Sequence, residues 1–311
     1  MTGPVFQSSG DPIVDRRYQW ALDYLERGDR AGAAEILEQV VATAPAFAGA
    51  WFALGAIREA GGDMERAVAA FRSAREADAA DYHGAGLRLA RLGVGEATPA
   101  MMETHVRRLF DQHAPRFEDS LLQHLDYRGP QLLHEAVGAL MRSIGRPMRF
   151  AAMLDLGCGT GLAGAAFRAD VDVLTGVDLS AAMIEEARRK RLYDRLETAE
   201  LAAFLAAEMS ASARYDLVGA ADVLVYVRDL GAVVEAVRRV LAPGGLFAFT
   251  VETHPDAGVV LRESLRYAHG AACVRTAIEG VGLELAHLAE VATRTEKREP
   301  VPGLLAIARA C

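Results

Sequence analysis

The spacing of apolar residues divides the chain into a helical part and an alternating part. Between residues 16 and 95, apolar residues recur every three to four positions, which predicts amphipathic helices. From residue 146 to residue 311, short apolar runs alternate with helical patterns, which predicts a parallel sheet with helices on both faces. The predicted strands lie near 152–156, 172–177, 195–198, 215–221 and 245–252, with a closing hairpin at 283–291 and 303–308.

The helical part repeats itself after 34 residues. The aligned pairs are Ala21 with Gly55, Gly28 with Gly62, Asp29 with Asp63, Ala33 with Ala67, and Leu37 with Phe71. In each copy a Gly-Asp pair is suited to a turn, because glycine ends one helix and aspartate caps the next. The pattern resembles the tetratricopeptide repeat, a helix–turn–helix unit, and a third helix near 82–92 would cover the second pair. The resemblance implies either a protein-binding groove or a structural element, such as a lid, a substrate-shaping wall or a dimerisation surface.

Breaks in these patterns indicate where the parts begin and end. The run Leu92-Gly93-Val94-Gly95 interrupts the helical pattern, and glycines placed in this way mark loops. The expected divisions are a flexible N-terminus at 1–15, helical repeats at 16–95, a helical connector at 96–145 and an α/β domain at 146–311.

A glycine-rich turn follows the first predicted strand of the α/β part. The sequence Met153-Leu-Asp155-Leu-Gly157-Cys-Gly159-Thr-Gly161-Leu indicates a buried strand, a turn and the start of a helix. Glycine lets a ligand lie against the main chain, and the helix start directs N–H groups toward it. A second strand ends in Asp178, which is placed to accept both hydroxyls of a ribose. The spacing is Gly-x-Gly-x-Gly, unlike the Gly-x-Gly-x-x-Gly of dinucleotide-binding folds.

These residues favour S-adenosylmethionine as the ligand. Asp155 suits its ammonium, the glycine backbone its methionine part, and Asp178 its ribose diol. Here the chain resembles the class I S-adenosylmethionine-dependent methyltransferases, whose motif is Asp/Glu-x-Gly-x-Gly-x-Gly with an acid ending the second strand. The resemblance covers about residues 146–311 and implies a Rossmann-like, doubly wound sheet of seven strands with the last strand antiparallel. It also implies cofactor contacts from Asp155, Gly157, Cys158, Gly159, Gly161, Asp178, Leu179, Met183, Glu200, Leu201, Ala221 and Phe117.

The connector carries a further resemblance, to small-molecule methyltransferases. Residues 106–121 are similar to the Phe-Asp-x-x-Ala-x-x-Tyr/Phe segment that forms a helical lid in many of them. On that basis Phe117 would wall the methyl group, and Arg116 or His113 would reach the cofactor carboxylate. Methyltransferases of amide and adenine nitrogens carry Asn/Asp-Pro-Pro-Tyr/Phe after the fourth strand. Residues 220–223 are Ala-Ala-Asp-Val instead, which disfavours methylation of DNA or glutamine.

Composition and charge limit which partners and which cellular compartment are expected for this chain. The 311 residues carry a formal net charge of −8, and an acidic chain without a Lys/Arg-rich block is poorly suited to nucleic acid. The three cysteines, Cys158, Cys273 and Cys311, have no metal-ligand spacing, and their odd number disfavours a disulfide framework. With no visible signal peptide and no run of about 18 apolar residues, we expect a cytoplasmic protein without a membrane span.

Candidate catalytic residues lie on the loops after the fourth and fifth strands. Methyl transfer depends mainly on in-line positioning, and a base helps when the acceptor atom carries a proton. Asp222, Tyr226, His254, Tyr267 and His269 occupy these loops. Tyr267 and His269 are the candidates of choice, because this Tyr-x-His pair is expected at the mouth of the site. No histidine–carboxylate cluster has ligand spacing, so no metal is expected.

The sequence leaves four functions open. The first is a methyltransferase that acts on oxygen or nitrogen of a small molecule and releases S-adenosylhomocysteine. The second is a protein or peptide methyltransferase that its helical repeats recruit to a partner. A nicotinamide-dependent oxidoreductase would fit Asp178 but not Asp155 or the glycine spacing. The fourth is a non-catalytic scaffold that only senses S-adenosylmethionine.

Overall fold

The structure, a computed structural model, describes residues 8–114, 117–118, 126–296 and 299–311. The chain forms two compact units, 1–109 and 110–311. The helices of the N-terminal part are Pro12–Glu26 (α1), Arg30–Thr43 (α2), Ala48–Ala60 (α3), Met64–Ala77 (α4), Ala85–Arg91 (α5) and Pro99–His113 (α6). Among the helices of the described residues, none combines the length and apolar character needed to cross a membrane.

The first unit is built from two helix pairs, α1–α2 and α3–α4, that repeat at the predicted offset. Asp29 and Asp63 cap the second helix of each pair, accepting hydrogen bonds from backbone N–H groups at 2.9 and 3.2 Å. Gly55 lets the helices of the second pair approach closely, since a Cβ there would stand 2.7 Å from the ring of Phe71. The helical character of this part is confirmed, whereas its assignment to the tetratricopeptide class stays a prediction.

The second unit alternates strands and helices. Its helices are Gly129–Ser143 (α7), Leu162–Phe167 (α8), Ala181–Lys190 (α9), Leu201–Ser210 (α10), Leu230–Val240 (α11) and Ala271–Glu279 (α12). Its strands are Phe150–Leu156 (β1), Val171–Asp178 (β2), Arg195–Thr198 (β3), Tyr215–Ala220 (β4), Leu241–Glu252 (β5), Val259–Leu261 (β6), Tyr267–His269 (β7), Glu284–Glu296 (β8) and Glu299–Arg309 (β9). Short 3₁₀ turns lie at 168–170 and 224–226.

The sheet has a parallel centre and an antiparallel end. Strands run in the order β3-β2-β1-β4-β5 with parallel pairing. β9 is antiparallel to β5 and to β8, so the antiparallel ending is confirmed. Neighbouring residues of β1 face opposite sides: Leu154 packs in a core with α10, α11 and α12, and Met153 in a core with α7 and α8. Helices therefore cover both faces, as predicted for a doubly wound sheet.

The prediction of seven strands is wrong, because the described residues form nine. The additional strands, β6 and β7, are three residues each, too short for alternation to be detected in the sequence. β7 pairs with β5 at Glu252, beyond the point where β4 ends opposite Phe249. β9 pairs with the other edge of β5. The β6–β7 hairpin therefore lies on the same edge of β5 as β4, beyond the carboxyl end of β4.

Candidate active site

The glycine turn joins β1 to α8 at the carboxyl edge of the sheet. Gly157, Gly159 and Gly161 have φ of 62°, 53° and 91°, a region that favours glycine. A Cβ on Gly157 would stand 2.4 Å from Cγ2 of Val223, whereas a Cβ on Gly159 would meet nothing within 4 Å. Between two of these glycines, the hydroxyl of Thr160 is buried without a hydrogen-bond partner among the described residues. The turn thus combines open space with a buried hydroxyl that a ligand could satisfy.

Cys158 ties this turn to the neighbouring strand through its main chain. Its N–H donates to the carbonyl of Val177 in β2 at 2.9 Å. Burial raises the pKa of its thiol well above the usual value. The side chain is therefore a protonated, small filler of the turn rather than a nucleophile.

Asp178, at the end of β2, is hydrogen-bonded to the turn. Its buried carboxylate accepts from the N–H of Gly159 at 2.9 Å and from the N–H of Ser180 at 2.8 Å. Burial raises its pKa to about 6, and the two hydrogen bonds act in the opposite direction. A carboxylate oxygen has a second lone pair, so Asp178 can hold the turn and still accept from a diol.

Asp155, at the end of β1, lies buried beside Tyr193. Its Oδ2 accepts a hydrogen bond from the Tyr193 hydroxyl at 2.6 Å. Burial raises the pKa of Asp155 to about 7; the tyrosine hydrogen bond lowers it, and the carboxylate of Asp178 raises it. Two neighbouring acids with raised pKa values create a region that would favour a cation. Nothing in the sequence singled out Tyr193, whose ring fills the space beside Gly161 and Gly164.

Five further expected cofactor contacts lie where β2, β3 and β4 end. Leu179 directly follows Asp178, and Met183 is buried in the first turn of α9. Glu200 caps α10, which begins at Leu201, and Ala221 directly follows β4. Their positions at this edge are compatible with the expected roles, which stay predictions.

Aromatic rings connect the connector to the loop after β4. The ring centroid of Phe110 lies 5.5 Å from that of Phe117 and 5.7 Å from that of Tyr226, both in edge-to-face geometry. Phe117 is half-buried in this group, and His113 is half-buried at the end of α6. Arg116 lies outside the described residues.

The two candidate catalytic residues lie on β7 and are both buried. Nε2 of His269 lies 3.4 Å from the carbonyl oxygen of Arg228, and its Nδ1 is buried with no partner in the described part of the chain. Burial lowers the pKa of His269 and raises that of Tyr267. A neutral imidazole is the form that accepts a proton, but His269 exposes no surface here. The catalytic roles of this pair stay predictions.

Asp222 anchors a buried polar network at the same edge. Its backbone lies in the left-handed region, with φ of 55°, and its N–H donates to the Thr250 hydroxyl at 2.8 Å. Its carboxylate accepts from the hydroxyls of Thr250 and Thr293, each at 2.8 Å, and from Nη1 of Arg294 at 3.2 Å. With these donors in place, Asp222 fixes the loop after β4 to β5 and β8.

Two arginines extend the network toward Tyr226. Buried Arg294 contacts Glu252 and, at 3.1 Å, Glu296. Nη1 of Arg266 lies 2.6 Å from Glu296, and its Nε donates to the Tyr226 hydroxyl at 3.2 Å. Because arginine has no acceptor, the proton of the Tyr226 hydroxyl remains available to another partner. No sequence motif marks this network, which joins residues as much as 72 positions apart.

The described residues offer no group of three or more His, Cys, Asp or Glu side chains that could hold a metal ion.

Comparison with known proteins shows what part of the chain is similar to. Residues 154–247 match the family model of a methyltransferase domain. A malonyl-[acyl-carrier protein] O-methyltransferase of Enterobacter lignolyticus (strain SCF1) is 33% identical over 152 residues, which are 49% of this chain and 55% of that enzyme. Methyltransferase-like protein 27 of Homo sapiens is 39% identical over 93 residues, 30% of this chain and 36% of that protein. The chain spans about half the length of the first two curated relatives it matches.

Solved structures show the same fold. The magnesium protoporphyrin IX methyltransferase from Synechocystis PCC 6803 with bound S-adenosylhomocysteine aligns with a TM-score of 0.51 at 18% identity, covering 68% of this chain and 100% of that one. The 1,6-didemethyltoxoflavin-N1-methyltransferase of Burkholderia thailandensis aligns with a TM-score of 0.53 at 18% identity, covering 70% and 92%. At this identity the likeness concerns the fold alone. Residues 154–247 are thus similar to a methyltransferase domain, and the parallel sheet with its antiparallel end has the fold of these two solved methyltransferases.

Proposed function

We propose that this domain transfers a methyl group from S-adenosylmethionine to an oxygen or nitrogen atom of a small-molecule acceptor, releasing S-adenosylhomocysteine. The observation that carries the proposal is the meeting of the glycine turn, Asp155 and Asp178 at one edge of the sheet. S-adenosylmethionine supplies an activated methyl group on its sulfonium when it is bound.

The residues at this edge fit the chemical groups of the cofactor. Asp178 would accept from the ribose diol, and Asp155 would stabilise the ammonium. The open space at Gly159 would admit the methionine part against the main chain. The buried hydroxyl of Thr160 would donate to the carboxylate and so gain the partner that the described chain does not provide. This residue was missed by the sequence analysis, although a hydroxyl between two glycines of the turn was the available signal.

On the acceptor side, the chain contributes positioning and a candidate base. Tyr226 would orient the acceptor by donating its hydroxyl proton, while Arg266 holds the phenol in place by donating a hydrogen bond to its oxygen. Phe110 and Phe117 would form an apolar wall beside it. His269 is the proposed base, and Tyr267 lies beside it on β7. Both residues lie on the hairpin that extends past the end of β4, where the acceptor is expected to bind. Holding the acceptor in line is expected to account for most of the rate.

The names of relatives support oxygen as the acceptor atom. The names of the matched enzymes include O-methyl transfer to a malonyl group carried on a protein and O-methylation in ubiquinone biosynthesis. Oxygen is therefore the first acceptor atom to screen. The first unit is proposed to be a tetratricopeptide-like helical array, and the chain to act in the cytoplasm.

Calorimetric titration with S-adenosylhomocysteine, beside NADH, tests the proposal. We expect micromolar binding of the first ligand and none of the second. Asp178→Ala should abolish binding, whereas the control Asp172→Ala, an exposed acid on the same strand, should not. Thermal unfolding of both variants checks that the fold is intact. Binding of NADH alone would overturn the proposal, and binding without turnover across an acceptor screen would favour the sensing scaffold.

A further inference from the structure

Helix α1 carries an exposed apolar strip. Ile13 is 67% exposed, Trp20 52% and Tyr24 40%. Residues spaced by seven and by four positions lie on one side of a helix, so the three side chains form a single row. Three large apolar side chains exposed along one helix are unusual on a surface that has no partner.

The second helix pair shows what this row is suited to. At the repeat offset, Ile13 corresponds to Phe47 and Trp20 to Leu54, which are only 3% and 0% exposed. These two residues belong to the core shared with α1 and α2, and the ring of Phe47 lies 4.8 Å from that of Tyr18. On α3 this face is therefore covered by the preceding helix pair. On α1 the same face is exposed.

Charged residues flank the row in a self-complementary way. Arg16 and Asp23 lie on one flank of Trp20, and Arg17 and Tyr24 lie on the other. Arg16, Arg17 and Asp23 are exposed and form no ion pair within the described residues. We call Ile13, Arg16, Arg17, Trp20, Asp23, Tyr24 and Arg27 the α1 outer face.

We propose that the α1 outer face binds the same face of a second copy of this chain about a two-fold axis. Two antiparallel helices related in this way bring like flanks together. Arg16 of one copy then meets Asp23 of the second copy as an ion pair, and Arg17 meets the ring of Tyr24 as a cation–π contact. The two Trp20 side chains pack at the centre. Each contact occurs twice, as an isologous interface requires.

The opposite end of the helical array disfavours head-to-tail stacking. No residue of α5 is exposed, and Leu87 and Leu89 are buried. A second copy stacked onto α5 would find no apolar row to match Trp20. A head-to-tail contact would also leave one face uncovered at each end of the assembly unless the copies closed into a ring. Pairing through the α1 outer face closes after two copies and covers the apolar row of each.

The contact is expected to be small. A helix of 15 residues is about 22 Å long, so the interface falls toward the lower end of specific contacts, below about 1,200 Å² in total. We therefore expect a concentration-dependent equilibrium between monomer and dimer rather than a permanent dimer.

Sedimentation equilibrium of the full chain over a range of loading concentrations measures this directly. The weight-average mass should rise from 33.3 kDa toward twice that value as concentration increases. Trp20→Glu should hold it at the monomer value, while Met64→Glu, another exposed apolar residue of the same unit, should behave like the wild type. Helical circular dichroism confirms that both variants are folded.

A charge exchange distinguishes this pairing from nonspecific adhesion. Arg16→Glu alone and Asp23→Arg alone should each weaken dimerisation, because each places like charges together. The double variant R16E/D23R restores opposite charges at both symmetric contacts and should recover the wild-type equilibrium. A wild-type chain that stays monomeric at every concentration overturns the proposal. The proposal is also overturned if the dimer persists in Trp20→Glu or is not recovered in the double variant.

Discussion

The raised pKa of Asp155 makes its proposed role with the cofactor ammonium measurable through pH. In the unliganded fold, burial raises this pKa to about 7, so much of the side chain is neutral at neutral pH. An ammonium next to it would favour the charged form and lower its pKa. Binding should therefore release a proton, and affinity should increase with pH.

The size of the effect follows from the fraction of Asp155 that must be deprotonated. With a pKa of about 7, raising the pH from about 6 to about 8 changes the apparent dissociation constant about tenfold if the bound pKa lies well below this range. Asp178, with a pKa of about 6, adds a factor of about two if the diol favours its charged form. The amino group of S-adenosylhomocysteine stays largely protonated over this range, so it opposes the trend only weakly.

Calorimetry at both pH values, in two buffers of different ionisation enthalpy, gives the affinity and the number of protons released. Asp155→Asn is the matched variant, because its amide oxygen still accepts from the hydroxyl of Tyr193 at nearly unchanged volume. We expect about a twentyfold pH effect in the wild type and about a twofold effect in the variant. A flat wild-type profile, or an undiminished slope in Asp155→Asn, would show that Asp155 serves the fold through Tyr193 and does not respond to the ammonium.

Four further outcomes follow from the same contacts. Thr160→Val should leave the melting temperature unchanged or higher, since it removes a buried hydroxyl without a partner, yet weaken S-adenosylhomocysteine binding by about tenfold or more, measured by titration. Gly157→Ala should destabilise the domain by more than about 2 kcal/mol, because its Cβ would strike Val223 at a positive φ, as denaturant unfolding would reveal. Gly159→Ala has open space around its Cβ, so it should lose only about 1 kcal/mol of stability but most of the affinity for S-adenosylhomocysteine. Equal losses of stability in Gly157→Ala and Gly159→Ala would contradict this account. Arg294→Met should cost about 1–3 kcal/mol in unfolding free energy, because it leaves buried Glu252 with only longer contacts to Arg262 and Arg266, and a neutral effect would mean that Arg294 is dispensable for stability.

The sequence predicted the strand, glycine turn and helix start around Gly157 but not the polar network around Asp222, for a physical reason. The turn from Gly157 to Gly161 and Asp178 are encoded locally: a short stretch carries the strand, the glycines and the helix start together. Asp222 and Arg294 form one contact only because β8 returns antiparallel along the sheet. No periodicity or spacing encodes such a contact. For the same reason Tyr193 escaped notice, since its partner Asp155 lies 38 positions earlier in the chain.

The β6–β7 hairpin allows cofactor binding and acceptor binding to be assigned to different segments of the chain. The residues proposed to bind the cofactor lie on β1, β2 and the turn, whereas the hairpin pairs with β5 at one position, Glu252 with Ala268, and contacts β8 through Arg266 and Glu296. Residues 253–266, between β5 and β7, can therefore change in length and chemistry without disturbing Asp155 or Asp178. Grafting this segment between related chains should alter acceptor preference while cofactor affinity stays constant, so the hairpin is the natural place to diversify a library for new substrates.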